Sequence, residues 1–353
     1  MENKRLLLAG LLVAVALVTQ GGIVSAQQAS DRDPRFEKLA KELYLSAKKE
    51  GSLVVYTVWD VDHVRMLLAA FSKRFPGITT KYWQATRSEL TTRVLTEFQG
   101  NQSSVDVILA EEFALQTAGA ISPYQTVQQD ALIIHDPVAP VVSLQIQALA
   151  YNTKKLKTNE LPKSWEDVTN PKYKGMVALD DPLRGGPLSA MLAGLKDEWK
   201  DDARWTKFIG GLKALNVAVH KSTSAMFRLL IAGEYALAIP ALLHDVIHEK
   251  EKGTPVDIVK GAFPVISPQQ AKIYAKALHP NCGKLFAEWL ITPEGQSALD
   301  TVGRSSARKG FKAKTSIANA WGSGAKPVPI TNKSFFDDPR KWLDANVKPV
   351  WEN

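Results

Sequence analysis

Ser52-Leu-Val-Val-Tyr-Thr57 and Val105-Asp-Val-Ile-Leu109 are short, nearly continuous apolar runs, and Ile78 to Trp83 forms a third between them. Runs of this length without polar alternation mark strands buried on both faces. The connecting segments carry helical spacing instead. Asp60 stands before Val64, Leu67, Leu68, Phe71 and Phe75, and Pro76-Gly77 closes that stretch. Ser88 can cap a helix that runs through Leu90, Val94 and Phe98 to Gly100. Upstream, Phe36, Leu39, Leu43 and Ala47 share a helical face that stops at Gly51. Strand, helix, strand, helix, strand in this order requires parallel pairing with crossover helices on both sheet faces.

The pattern then repeats. Ile146 to Tyr151, Met176 to Leu179, Val217 to Val219, Tyr235 to Ile239 and Val256 to Val259 read as strands, with helices at about 187–195, 201–214, 223–232 and 242–251. Phe263 to Ile266 is one more strand. Ser267-Pro268 and Thr292-Pro293 each read as a helix start, because a capping hydroxyl followed by proline suits the first turn. The last 50 residues are expected to hold only a short helix around Trp342. The fold class is therefore α/β, in two units. No Gly/Ser linker separates them, so strands are expected to cross between the units more than once. Such a hinge lets two rigid lobes close over a ligand.

Composition supports a folded chain. Among 353 residues, 45% are hydrophobic and 23% charged, which excludes global disorder. The single cysteine, Cys282, excludes an intrachain disulfide and a Cys-based zinc cluster. The formal charge of +8 suits anionic ligands. At the N-terminus, Lys4 and Arg5 precede an apolar run from Leu6 to Val18, and Val24-Ser25-Ala26 supplies small residues for cleavage. That run is short of the roughly 20 residues a membrane span needs. Residues 1–26 are expected to be a cleaved signal peptide, leaving Gln27 at the start of a soluble, periplasmic monomer. Its free thiol suits an oxidising compartment only if buried.

Several segments, taken in order, resemble one family. They are Val54-Val-Tyr-Thr-Val-Trp-Asp60, Ser88-Glu-Leu-Thr-Thr-Arg93, Ala150-Tyr-Asn-Thr153, Leu161-Pro-Lys-Ser-Trp-Glu-Asp-Val168 with Asn170-Pro-Lys-Tyr-Lys-Gly175, Gly233-Glu-Tyr-Ala-Leu-Ala238 and Thr292-Pro-Glu-Gly-Gln-Ser-Ala-Leu299. Together they resemble the bacterial extracellular solute-binding proteins of ABC importers, in the subgroup that includes ferric-ion-binding proteins. The resemblance implies a two-lobed Venus-flytrap architecture. One lobe would comprise residues 27–145 and 262–305, the other 146–261 and 306–353. A small solute would bind between them and pass to a membrane permease driven by its ATPase. No catalysis, cofactor or resident metal is implied.

Ligands of open α/β sheets bind beyond the carboxyl ends of strands, where helix N-termini present free N–H groups. That rule selects six loops. Thr57-Val-Trp-Asp60 offers Trp59 to stack or shield and Asp60 to meet a cation, unless Trp59 packs on its own lobe and Asp60 only caps a helix. Ala85-Thr-Arg-Ser88 offers Arg87 and Ser88 to an anion. Glu111 matches the position at which ferric members of the family place a carboxylate. Asp181, Arg184, Gly185 and Gly186 form the strongest local anion site, since glycines permit close backbone approach. Ser222, Thr223 and Ser224 can cap a helix and donate to a ligand oxygen. His244 and His248 stand one helical turn apart, a spacing that also suits an exposed helix face.

The ferric members carry paired tyrosines just after the strand matching Tyr235 to Ile239. Here the stretch reads Pro240-Ala-Leu-Leu-His244, and leucine offers no anionic oxygen to Fe(III). An organic anion is the expected solute, with a ferric ion or metal chelate as the alternative. An exported hydrolase is a third reading. It lacks support, because the chain contains no Gly-x-Ser-x-Gly, no phosphate-binding Gly-x-x-x-x-Gly-Lys and no Gly-x-Gly-x-x-Gly. The basic run from Arg304 to Lys314 lacks the interleaved aromatics of a nucleic-acid platform, and nucleic acid is not an expected partner.

Overall fold

The computed structural model describes residues 33–102, 104–110, 113–322 and 324–352. The expected signal peptide, Gln27 and Glu111 lie outside them. The first helix, Pro34–Glu50, is defined by its ends. The Asp33 carboxylate accepts from the Arg35 N–H, Pro34 supplies a preset φ, and Gly51 closes the helix in the left-handed conformation at φ 72°. Its buried Phe36, Ala40 and Ala47 face the helix Pro280–Ile291. There the Cys282 thiol is fully buried and donates to the Ala47 carbonyl at 3.2 Å, and burial pushes its pKa up. Among the described residues no helix is long and apolar enough to cross a membrane.

Strands β1 (Ser52–Thr57), β2 (Thr79–Gln84) and β3 (Val107–Leu109) pair in parallel in the order β2-β1-β3, with Val61–Arg74 and Arg87–Gln99 as the crossover helices. A short β4 (Ile121–Ser122) and the long β5 (Val141–Asn152) follow. The second parallel set is β6 (Val177–Asp180), flanked by β7 (Ala218–His220) and β8 (Leu237–Leu242). Each set is thus built as the sequence pattern requires.

Two long antiparallel strands join the sets. β10 (Val265–Tyr274) pairs with β5 over Val265–Gln270 and with β3 over Ala271–Ile273, and its register shifts between Gln269 and Gln270. β5 in turn pairs with β8 and with β9 (Val256–Ile258). The chain returns to β5 a further time through β11 (Ser305–Ser306), and β12 (Val328–Pro329) adds to β10. Apolar clusters lie on both sides of this sheet. One centres on Phe71, whose ring meets Phe286 at 5.1 Å and Trp289 at 5.7 Å. Another gathers Trp165, Trp205, Phe208 and, from the C-terminal segment, Phe335, Trp342 and Val347. Each such ring, fully buried, contributes about 1.5–3 kcal/mol.

Three local expectations are corrected. Ser267-Pro268 opens no helix; it lies inside β10, opposite Gln145 and Leu144. Pro268 falls between the β12-paired and β3-paired stretches of β10, where that edge of the strand has no described strand partner, and proline is tolerated at such edges. Ser88 is not a cap. The helix begins at Arg87, and Thr86 and Glu89 form a reciprocal capping box. Among the described residues the C-terminal segment holds four short helices, Ile317–Trp321, Lys333–Asp337, Pro339–Asn346 and Lys348–Trp351, rather than one.

Candidate solute-binding cleft

Arg87, at the loop after β2, and Arg184-Gly185-Gly186, at the loop after β6, line one cleft of about 670 Å³. These loops leave the carboxyl ends of strands in the two different parallel sets. Gln145 of β5 and Ser267 of β10 form part of its lining, and the C-terminal segment contributes Phe336 and Asp337.

Arg184 is held from behind. Its Nη2 donates to both oxygens of Asp180, at 2.8 and 2.9 Å, and lies 3.4 Å from Thr223 Oγ1. The Asp180 side chain has 0% exposure against 36% for Arg184. A carboxylate so buried requires its cation. Gly186 makes room for the pair, since a Cβ there would stand 2.6 Å from Arg184 Nη2. Among the described residues, Nε and Nη1 of Arg184 make no hydrogen bond. The side chain is thus anchored by one nitrogen and retains two donors.

Two details depart from the expected anion site. The Gly185 N–H already donates to Ser189 Oγ at 3.0 Å, and Ser189 donates in turn to the Pro182 carbonyl at 2.8 Å. Gly185, at φ +75°, serves the turn. Asp181 accepts from the Leu183 N–H at 2.9 Å and likewise shapes the loop. At the Arg87 helix, the Glu89 carboxylate accepts from the Thr86 N–H and hydroxyl. The dipole there is met by the protein's own anion, so Arg87 contributes through its guanidinium.

Asp60 and His244 lie elsewhere. They line a second cavity of about 640 Å³ with His63, His248, Asp245, Glu251, Asp300 and Lys314. Asp60 is exposed and its carboxylate makes no cap bond. His244 Nε2 stands 3.4 Å from Asp245 Oδ1. Burial lowers the pKa of His244, and Arg304, His63 and His248 add to the effect against Asp245. Burial likewise lowers that of His63, with Arg304 beside it. Among the described residues, no group of three or more His, Cys, Asp or Glu is placed to hold a metal ion.

The remaining candidates hold structure together. Thr57 is fully buried; its hydroxyl donates to the Leu109 carbonyl and accepts from the Trp59 N–H. Trp59 is 2% exposed. Its Nε1 donates to Gln269 Oε1 at 3.2 Å, and the Arg304 guanidinium covers its ring at 3.8 Å. It packs within the protein and is not presented to a ligand. Ser222 is the N-cap of Thr223–Ala232, accepting from the Ala225 N–H, while Ser224 is exposed.

Some cleft residues escaped the loop rule. Gln145 was legible, since Ser143, Gln145 and Gln147 alternate with Val142, Leu144 and Ile146 and give β5 one polar face. Thr91 lies one helical turn after Arg87 and could have been found by periodicity. Nothing in the local sequence foretells that Phe336 and Asp337 reach this cleft.

The family described as bacterial extracellular solute-binding protein matches residues 63–297, and the chain belongs to it. An uncharacterized protein of Haemophilus influenzae is 27% identical over 269 residues, covering 71% of this chain and 76% of the relative. The major ferric iron-binding protein of Neisseria meningitidis serogroup A is 25% identical over 287 residues, covering 76% of this chain and 84% of the relative. The structure of the Bordetella ferric binding protein superposes with a TM-score of 0.68 at 19% identity, covering 86% of this chain and 100% of that one. The fold is that of two-lobed periplasmic binding proteins.

Proposed function

We propose that this solute-binding protein captures a small organic anion in the arginine-lined cleft and delivers it, from the periplasm, to an ABC permease. One observation carries the reading: Arg87 and Arg184, from loops of different parallel sets, line the same cleft. A volume of about 670 Å³ suits a small solute. The proposed lobes are 27–145 with 262–305 and 146–261 with 306–353. β5 and β10 would serve as their hinge. Calorimetric titration with phosphonates, carboxylates and neutral sugars tests the ligand class. Tight binding of a neutral sugar, or an anion whose affinity is unchanged in both Arg87→Ala and Arg184→Ala, would sink it.

The names of the ferric relatives favour a second reading, iron or a ferric chelate. Against a phenolate site, Leu242 ends β8 and the buried Leu243 opens the next helix, at the positions where the resemblance to ferric members implies tyrosines. Adding Fe(III) is expected to give no visible charge-transfer band; a band lost on mutating one tyrosine would reinstate this reading.

A further inference from the structure

We infer that the arginine-lined cleft selects an oxyanion that also carries a cationic nitrogen, with Asp337 and Phe336 receiving the nitrogen. This rests on the anion reading above and narrows it. The cleft looks basic from its two arginines, but carboxylates accompany them. Arg184 is matched by the buried Asp180 behind it, and Arg87 shares the lining with the carboxylate of Asp337. A dianion drawn to the guanidinium groups would face Asp337, whereas a zwitterion meets a partner for each of its charges.

Asp337 is available for that role. Its described ionic partner is Lys333, one helical turn earlier, and the two side chains are 41% and 81% exposed. Such a surface pair is held weakly and yields to a better-placed ammonium. Phe336, half-buried, lines the same cleft with its ring 5.5 Å from that of Phe335, and aromatic rings in a cleft wall attract ammonium groups.

The segment is built into the fold. Asn332 caps its helix by accepting from the Phe335 N–H at 2.8 Å and donates to Asp197 Oδ1 at 2.7 Å, on the helix Pro187–Trp199. Phe335 is buried with its ring 5.4 Å from that of Trp342.

The test compares isosteric pairs on the full mature chain by calorimetry: aminomethylphosphonate against ethylphosphonate, and β-alanine against butyrate, with phosphonoacetate as the polyanion. At least one ammonium-bearing ligand is expected to bind about tenfold more tightly than its methyl isostere, with phosphonoacetate weaker still. Asp337→Asn is expected to erase that preference by weakening the ammonium-bearing ligand and strengthening its purely anionic isostere, with the unfolding midpoint in place. Equal affinity within both pairs, or a preference that survives Asp337→Asn, overturns the zwitterion inference alone. If none of these anions binds, the anion reading falls and the inference with it.

Discussion

The two cavities are nearly equal in size, about 670 and 640 Å³, yet opposite in how they treat charge. In the first, a guanidinium is fixed by a buried carboxylate and retains two donors. In the second, the carboxylates of Asp60, Asp245, Glu251 and Asp300 share the lining with His63 and His244, whose pKa values burial lowers, and Lys314 is committed to Glu251 at 3.0 Å. The same strand-end rule selected residues from both, because it finds where loops emerge. What decides the chemistry is the support behind each side chain, and that support comes from elsewhere in the chain.

The largest effect is expected at Arg184. Arg184→Ala leaves the fully buried Asp180 without its described cation, and breaking a buried pair costs about 3–5 kcal/mol. The partial exposure of Arg184 places the expected loss near the lower end. Chemical denaturation should therefore show a marked loss of stability together with loss of anion binding. Unchanged stability would mean that Asp180 relaxes to water, and the contrast between the cavities would weaken.

The histidine cavity makes its own prediction. His63 and His244 both have pKa values below their ordinary 6.5 in the folded state. The unfolded chain then binds more protons as pH falls below about 6.5, so stability declines with acidification from that point. Measured unfolding free energies should be flat above this pH as far as these groups are concerned and fall beneath it. His244→Gln should reduce that slope. A slope identical in the variant would assign the acid sensitivity to other groups.

Gly186→Ala probes the seat of the first cavity more gently. The new methyl would meet the end of a flexible side chain, so Arg184 can move, at a cost of about 1 kcal/mol. Binding should weaken by about tenfold as the guanidinium shifts while keeping Asp180 as its partner.

Much of this architecture was legible in the sequence. Val54, Val55 and Tyr56 in one apolar run, and helices punctuated by Pro76-Gly77 and Thr292-Pro293, placed the parallel strands and crossovers because period and punctuation are local signals. Ser267-Pro268 misled because the same dipeptide suits a helix start and a stretch of strand edge without a partner, and only the pairing of β10 distinguishes them. Trp59 was ambiguous for a similar reason. Its burial depends on Gln269 and Arg304, both more than 200 residues away in the chain. Arg87 and Arg184 are legible as cleft residues from strand-end position, while the role of Asp180 as an anchor is not, although it lies four residues from Arg184. The spacing was visible; the burial that gives it force was not.

The smallest effect on stability, and the clearest separation of roles, is expected at Arg87. It is an exposed residue at the first turn of its helix, and that turn is secured by Thr86 and Glu89 without it. Substitutions at exposed positions cost about 0.5 kcal/mol or less. Its guanidinium nevertheless lines the cleft, and a charge-assisted hydrogen bond to a ligand is worth about 1.5–3 kcal/mol. Arg87→Ala should therefore weaken anion binding by roughly tenfold or more while the unfolding curve stays almost superimposable on that of the parent. Set beside Arg184→Ala, which is expected to lower both, this gives two arginines in one cleft with different physical standing. A large stability loss in Arg87→Ala would show that this residue too is anchored by a buried partner. An unaltered affinity would remove it from the clamp and leave Arg184 to face the anion alone.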